Sequence, residues 1–571
     1  MHGRLGPTEH ARAWTRLGEE RLDVLVVGGG VTGAGAALDA ATRGLSVALV
    51  EARDLASGTS SRSSKLFHGG LRYLEQLDFS LVREALRERE LMLTRLAPHL
   101  VKPVPFLYPL QRLGWERLYV GAGLTLYDNL GGANVLPRTR HFSRRGARAI
   151  CPALRPDALV GALQYWDAQA DDARHTLSVA RTAARYGAVV RTSTEVVGLV
   201  RDAGRVVGAE VRDVETGDRQ VVRASAVVSC TGVWTDDVEA LSGSRGRFNV
   251  RASKGVHLVV PRDRIASETG MILRTPTSVL FVIPWGQHWL VGSTDTDWNL
   301  NLAHPAASRA DIDYLLGQVN QVLVRPLTYD DIVGVFAGLR PLLAGESDET
   351  SQLSREHAVA RPMPGLVTIA GGKYTTYRVM AADAIEATAP DLPRPLTESV
   401  TAEVPLVGAE GYAALVNQAD HLADEYGLPV WRVHHLLDRY GSLLEEVLAP
   451  AEEDPALLQP VPAADGYLAA EVRYGVTHEA ALHLDDLLAR RTRISIETEH
   501  RGVASAEAVG ALAADVLGWE PDRVAAEVEV YQARVAAERA SQEEATDQAA
   551  DAARMLAPDT RRCGVGRALD D

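Results

Sequence analysis

Val24 to Val27 is a short apolar run rich in β-branched side chains, the pattern of a strand buried on both faces. Glycines follow directly at 28, 29, 30, 33 and 35. Thr32 to Arg43 then reads as a helix that stops at Gly44, and Ser46 to Val50 as a second strand. Together they predict a βαβ unit. A loop rich in Ser and Gly spans Ser57 to Gly70. From Ser80 to Leu96 the apolar positions Leu81, Val82, Ala85, Leu86, Leu93 and Leu96 fall on one side of a helix. Pro98, Pro103, Pro105 and Pro109 mark irregular or extended chain.

Further on, Asp172 to Tyr186 predicts a helix, and Val189-Val190 and Glu195 to Val200 predict strands. Val206 to Val211 and Gln220 to Val222 flank the turn signal Glu215-Thr-Gly-Asp218 and suggest a hairpin. Ala226 to Ser229 reads as a separate strand. Lys254 to Thr296 is strand-rich, with Leu258 to Val260, Val279 to Ile283 and Trp289 to Gly292. Leu366 to Ala370 is a strand entering Gly371-Gly372, and a helix follows from about Thr375. Beyond about residue 400 the pattern turns helical. Gln542 to Asp571 is a polar stretch of Ala, Asp and Arg, expected to be disordered.

Composition narrows the functional classes. With 571 residues, two or three domains are expected. A net charge of −15 argues against nucleic acid as a partner, and makes any basic pocket stand out. Cys151, Cys230 and Cys563 form no Cys-x-x-Cys pair, which disfavours a disulfide framework or zinc site and fits a reducing cytoplasm. His434 and His435 are adjacent, so on a helix they would point roughly 100° apart; no metal site is expected. The N-terminus lacks a signal-peptide core, and no stretch is long enough to span a bilayer.

Gly28-x-Gly30-x-x-Gly33, placed between strand and helix, carries the first chemistry. The first glycine permits the tight turn, the second lets backbone approach a pyrophosphate, and the third lets the helix pack on the strand. The helix N-terminus offers unpaired N–H groups and partial positive charge to the diphosphate. Glu51, 23 residues after Gly28, stands where a carboxylate accepts hydrogen bonds from a ribose diol and repels a 2′-phosphate. The fingerprint predicts a dinucleotide cofactor and leaves FAD and NAD both open.

The stretch Ser60-Ser-Arg-Ser-Ser-Lys-Leu-Phe-His-Gly-Gly-Leu-Arg-Tyr-Leu-Glu75 closely resembles the signature of FAD-dependent glycerol-3-phosphate dehydrogenases. Gln169 to Arg174, Thr231 to Trp234, Lys254 to His257, Phe281 to Trp285, Gly292 to Asp295, Gly338 to Pro341 and Gly371 to Arg378 resemble further motifs of that family, in its order. Tyr440-Gly-Ser and Glu471 to Arg493 resemble its terminal domain more weakly. The resemblance implies an α/β fold with a Rossmann-like FAD-binding domain of the D-amino-acid-oxidase and glycine-oxidase type. That domain would be assembled from residues 20–100, 161–250 and 365–395. Residues 101–160 would form a cap segment, 251–364 a sheet-rich substrate domain, 400–540 a C-terminal helical domain and 541–571 a disordered tail. It also implies FAD as cofactor, glycerol 3-phosphate as substrate, a membrane quinone as acceptor and a homodimer.

The same resemblance assigns cofactor contacts to Ser63, Ser64, Lys65, His68, Gly69, Gly70, Val196, Thr231, Gly232, Gly371, Gly372, Thr375 and Thr376. Gly371-Gly372 before a helix start, with Lys373, would aim positive charge at the flavin pyrimidine ring. A dianionic phosphate ester calls for Arg; Arg72, Arg340 and Arg355 are the candidates, with Tyr73 and Lys373 as donors. The hydroxyl proton needs a base, for which His257 is the first choice. Arg340 could instead stabilise the developing alkoxide. Trp115 to Leu130, with Arg112 and Arg117, is a candidate surface for peripheral attachment to the cytoplasmic face of the cell membrane. The alternative is a glycerol-3-phosphate oxidase that passes electrons to O₂ and makes peroxide.

Overall fold

The computed structural model describes residues 3–70, 78–112, 114–130, 135–243, 248–275, 279–343 and 357–561. Its centre is an eight-stranded sheet. Arg21–Val27 pairs in parallel with Val47–Val50 on one side and with Arg219–Ser229 on the other. Val189–Arg191 and Leu366–Gly371 extend this parallel core outward. The first strand is apolar on both faces because both faces are covered. Val24 and Val26 face a core shared with the helices Val31–Thr42, Asp172–Arg185 and Tyr377–Glu386. Leu25 and Val27 face the opposite core, which takes in the helix Pro7–Glu19 and the antiparallel strands Thr194–Asp202 and Arg205–Asp213.

One expectation changes here. Gln220–Val222 and Ala226–Ser229 are one continuous strand, Arg219–Ser229. Its first half pairs antiparallel with Arg205–Asp213 and its second half parallel with Arg21–Val27. The intervening Arg223-Ala-Ser225 holds neither Gly nor Pro, so nothing ends the strand.

A second, ten-stranded sheet stands over the carboxyl ends of the first. Its long strands Val250–Pro261 and Gly334–Leu343 run antiparallel, pairing Ser253 with Arg340, Gly255 with Gly338 and His257 with Phe336. The proline-marked segment is a regular strand, Lys102–Leu110. Its prolines 103, 105 and 109 recur at odd positions, so the missing N–H groups fall on one edge. On its parallel side only Phe106 and Leu107 find partners.

The C-terminal part is helical and has two cores of its own. The expected disordered tail needs correcting for its described part. Asp547–Arg554 is a helix, Ala550 is fully buried, and Arg561 places both terminal nitrogens 2.8 Å from the Asp486 carboxylate. The polar composition suggested a chain unable to build a core, but these charges pair with buried acids on other elements. Residues 562–571 lie outside the described residues.

His483 joins this helical part to the first sheet. Its Nδ1 lies 2.8 Å from Glu527 and its Nε2 3.0 Å from Glu215. Burial and Arg561 push its pKa down, but the two carboxylates outweigh them and raise it to about 9. A pKa raised on folding adds stability that is full below pH 6.5 and is lost as pH rises through 9. We therefore expect His483→Gln to lower stability by on the order of 2 kcal/mol near pH 6. The gap between wild type and variant should close by pH 10, read from urea melts across pH. A gap that stays constant would show that the imidazolium is not the source.

Candidate functional site

A cavity of about 470 Å³ lies at the carboxyl ends of the parallel strands, where open α/β sheets bind ligands. The glycine-rich turn forms its floor. Gly28 has φ +108°, and a Cβ there would stand 2.6 Å from the Cys230 carbonyl oxygen. At Gly33 a Cβ would meet the Gly28 carbonyl oxygen at 1.9 Å, so helix and turn touch through backbone alone. Gly30 caps the Val31–Thr42 helix and lines the cavity. The helix start thus presents its amides to this space, and Val31 N–H donates to Ser60 Oγ at 2.9 Å.

Glu51 lines the same cavity. Its two oxygens accept from Gly29 N–H at 2.6 Å and Arg53 N–H at 2.8 Å. A carboxylate has about four acceptor sites, so each oxygen keeps capacity for a diol. Burial pushes its pKa up against these two bonds. Val196 lies on the wall beside Thr194 and Glu195, and Thr231 and Gly232 form another part of it. At the far end Gly371 and Gly372 have φ +75° and +85°. A Cβ on Gly372 would meet the end of the Met380 side chain at 2.5 Å, and the left-handed backbone there favours glycine in any case. Lys373 and Tyr374 continue the wall.

The loop after Glu51 is held from behind. Ser63 lines the cavity, and both its N–H and its hydroxyl donate to Asp172 Oδ2, at 2.9 and 2.7 Å. Lys65 does not line the cavity. It is buried, with Nζ 2.7 Å from Asp172 Oδ1 and 3.1 Å from the Ser61 carbonyl oxygen. Ser64 Oγ lies 2.9 Å from His257 Nε2. His68 N–H donates to Thr375 Oγ1 at 3.2 Å, and Gly69 N–H donates to the Tyr127 hydroxyl at 2.7 Å. Gly70 has φ +77°. Thr376 is buried, and its hydroxyl reaches the Lys373 carbonyl oxygen at 3.4 Å.

Arg340 and His257 share one face of the second sheet, because their partners Ser253 and Phe336 keep the two strands in register. The Arg340 guanidinium lies over Gly255, where a Cβ would come within 2.5 Å of it. Its Nη2 donates to Ser293 Oγ at 2.5 Å and to the Thr294 carbonyl at 3.2 Å. Its Nη1 is 3.3 Å from Ser253 Oγ and 3.4 Å from Asp295 Oδ1. Pro341, the next residue, lines the cavity. The His257 ring stacks on Phe336 with centroids 4.8 Å apart. Burial, then Arg340 and Lys65, holds its pKa well below the usual histidine value, so the ring is neutral. Its Nδ1 has no hydrogen-bond partner among the described residues. Arg72, Tyr73 and Arg355 lie outside the described residues.

Sequence reasoning gave no role to Asp172 or Arg493. Both stand inside motifs singled out above, but their link is a contact between distant segments: Arg493 Nη2 donates to Asp172 and, at 2.6 Å, to Asp171. Tyr374, Trp234 and the segment 301–303 also line the cavity unforeseen. Trp234 could have been read from Gly58, whose missing Cβ would stand 3.2 Å from its ring, but nothing local to either residue signals the pairing.

Comparison with known proteins bears on this geometry. The family model described as FAD dependent oxidoreductase matches residues 23–378, and that of the C-terminal domain of alpha-glycerophosphate oxidase matches residues 399–524. Glycerol-3-phosphate dehydrogenase 2 of Mycobacterium tuberculosis is 63% identical over 557 residues, covering 98% of this chain and 95% of that one. The X-ray structure of the glycerol-3-phosphate dehydrogenase from Bacillus halodurans complexed with FAD superposes with a TM-score of 0.76 at 28% identity. It covers 93% of this chain and 97% of its own. Glycine oxidase from Geobacillus kaustophilus shares the fold, with a TM-score of 0.51 at 22% identity over 66% of this chain and 99% of its own. The cofactor is FAD, and the glycine contacts and the Glu51 acceptors fit its ADP half.

Gly33→Ala should force helix and turn apart, at about 1–3 kcal/mol. The purified variant should carry at most a tenth of the wild-type flavin per protein, read from its visible absorbance. Full flavin content would show that the 1.9 Å approach is not required for binding.

Proposed function

The chain belongs to the FAD-dependent oxidoreductases and, among them, to the glycerol-3-phosphate dehydrogenases, and on that footing we propose that it oxidises sn-glycerol 3-phosphate to dihydroxyacetone phosphate and delivers the electrons to a membrane quinone. The observation that carries this reading is the pairing of Arg340 with neutral His257 on one sheet face, next to the Pro341 wall of the FAD cavity. Bound FAD supplies the hydride acceptor. The rest of the chemistry falls to the chain. The C2 hydroxyl loses its proton to His257, whose Nε2 is oriented by Ser64 and whose stacking on Phe336 fixes the ring plane. Arg340, held by Ser293 and Ser253, faces the oxygen on which negative charge develops. Burial most of all, and then Arg340 and Lys65, depress the basicity of His257 in the unliganded protein. A dianionic substrate beside them offsets that positive charge and raises the basicity at the moment it is needed.

Lys373, on the cavity wall after Gly372, serves the phosphate or the flavin. Arg72, Tyr73 and Arg355 complete the phosphate site by family resemblance. Ser63, Ser64, Val196, Thr231, Gly232, Gly371, Gly372 and Thr375 are proposed cofactor neighbours. Lys65 and Thr376 act by fixing the loop and the turn that make the contacts.

Among the described residues no helix is long and apolar enough to cross a membrane. The Trp115–Leu130 helix buries Val120, Gly121, Leu124 and Tyr127. Its other face exposes Trp115, Tyr119 and Leu126, and leaves Leu118 75% exposed. Aromatic and leucine side chains turned outward at helical spacing, with exposed Arg112 just before them, suit the headgroup boundary of a bilayer. This face is the proposed membrane contact.

Anaerobic sn-glycerol 3-phosphate should bleach the flavin, and turnover should proceed with a soluble quinone and yield negligible peroxide in air. Rapid peroxide formation would make the protein an oxidase instead; failure to bleach with glycerol 3-phosphate would overturn the substrate. Arg340→Ala should lower kcat/KM by on the order of 10²-fold or more while flavin content stays at the wild-type level. Equal loss of both would mean that Arg340 holds the fold.

A further inference from the structure

A second pocket adjoins the cofactor loop and shares Arg53 and Ser57 with the FAD cavity. It forms where the Pro521–Glu543 helix and the segment around Arg554 and Arg561 meet the loop after Asn301. Its wall carries Arg53, Arg62, Arg490, Arg534, Arg554 and Arg561. The carboxylates there are fewer and already shared. Asp559 is taken by Arg53 at 2.5 Å and by His304 at 3.0 Å, Glu527 by His483 and Arg523, and Asp485 by Arg490 and Arg534. From outside the wall, Asp486 holds Arg490 and Arg561, and Glu538 pairs with Arg534 at 2.9 Å and stands 3.5 Å from Arg554.

Arg62 is the unbalanced member. Its Nη1 donates to the Ala303 carbonyl oxygen at 3.1 Å, and among the described residues it forms no ion pair with a carboxylate. Burial, then Arg534 and Arg490, lowers its pKa to about 9, and Glu538 offsets them only in part, an unfavourable place for a cation with no carboxylate in contact. His304 stands opposite with Nδ1 3.3 Å from Arg554, and is itself held neutral, near 4, chiefly by burial. In a chain of net charge −15 such a site is out of character.

We propose that this pocket binds a small tetrahedral oxyanion: phosphate, free or as the phosphoryl group of a small metabolite. Arg62 and Arg554 are its principal ligands. Forked guanidinium donors from facing walls match phosphate oxygens better than they match single carboxylates. The room available, about 50 Å³, holds a few water-sized centres, which admits one oxyanion and excludes a nucleotide. The site is also linked to the cofactor cavity through its loop. Arg62 shares its loop with Ser60, which accepts from the helix start, and with Ser63 on the cavity wall. The Arg62 carbonyl packs against Gly338 in the strand that carries Arg340. An anion here ties that loop to the C-terminal helices and slows FAD release.

The test is thermal melting of the FAD-loaded protein in inorganic phosphate against chloride at equal ionic strength. Phosphate should give a saturable rise in Tm of a few degrees (about what ligand in 100-fold excess over its Kd provides). Arg62→Gln should weaken the apparent phosphate affinity at least about 10-fold, and Arg554→Gln should do the same if Arg62→Gln fails to load FAD. Arg340→Ala should keep the rise. A non-substrate phosphate monoester that acts at lower concentration than inorganic phosphate would identify a phosphorylated metabolite as ligand; the reverse order would identify free phosphate. No rise beyond that in chloride overturns the proposal. So does a rise that Arg340→Ala abolishes and Arg62→Gln leaves intact, since phosphate would then occupy only the substrate face.

Discussion

A buried carboxylate must find a cation, and three carboxylates fix this molecule: Asp54 and Asp172, fully buried, and Asp171, whose side chain is 11% exposed. Asp54, four residues into the loop after the second strand, accepts from Arg490 Nε at 2.5 Å and from Arg491 at 2.6 and 2.8 Å. Asp171 and Asp172, at the start of the Asp172–Arg185 helix, share Arg493. Burial alone would raise the Asp171 pKa; Arg493 and Arg439 overcome it and drive it far below the usual range. Arg490, Arg491 and Arg493 come from one short turn of the C-terminal helical part, Leu487–Arg491, and the two residues after it, and Arg439 from the helix Val430–Tyr440. Removing one partner of such a pair strands the other in a low-dielectric interior, at about 3–5 kcal/mol. The C-terminal helices therefore brace the cofactor site although none of their residues lines the cavity.

That clamp explains why the loop can serve two masters. Asp172 takes Ser63 and Lys65 from behind, which leaves Ser63 on the cavity wall and turns Ser64 toward His257. The loop can lie flat on the second sheet because two glycines clear the way. Gly338 has no Cβ to strike the Arg62 carbonyl, and its cross-strand partner Gly255 leaves space for the Arg340 guanidinium. Alanine at either would collide with a neighbour at 2.3–2.5 Å. The distance between the cofactor cavity and the Arg340–His257 face is thus set by backbone contact, which gives far less than side chains do.

Features legible in the sequence were local ones. The glycine fingerprint works within six residues and Glu51 closes it one strand later, so strand, turn and helix could be placed by pattern alone. The apolar stripe of the helix ending at Leu91 was equally clear, although the chain then passes through a π turn at Met92–Leu96 that periodicity does not announce. Hidden from pattern were features that depend on distant partners. Arg219–Ser229 changes partners midway and so looked like two strands. The Lys102–Leu110 strand tolerates its prolines only because one edge is sparsely paired. The segment 547–561 looked unfoldable because its compensating acids stand far away in sequence. Asp172 and Arg493 were visible as motif residues, but an ion pair across 321 positions leaves no signature in either neighbourhood.

Charge distribution ties these parts together. The surface is acidic overall, so a dianion approaching from solution gains nothing from long-range attraction, and beyond a Debye length of about 8 Å the repulsion is screened in any case. Recognition of an anion must therefore rest on the last few ångströms. In the function proposed above the interior supplies it there: helix amides at Gly30, a cation at Lys373 beside the turn, and a guanidinium at Arg340 held by hydroxyls. Most other buried cations are consumed by buried acids, as Lys65 and Arg491 are. Selectivity then follows from where these groups stand, and this is fixed by the same ion-pair clamp that holds the loop in place.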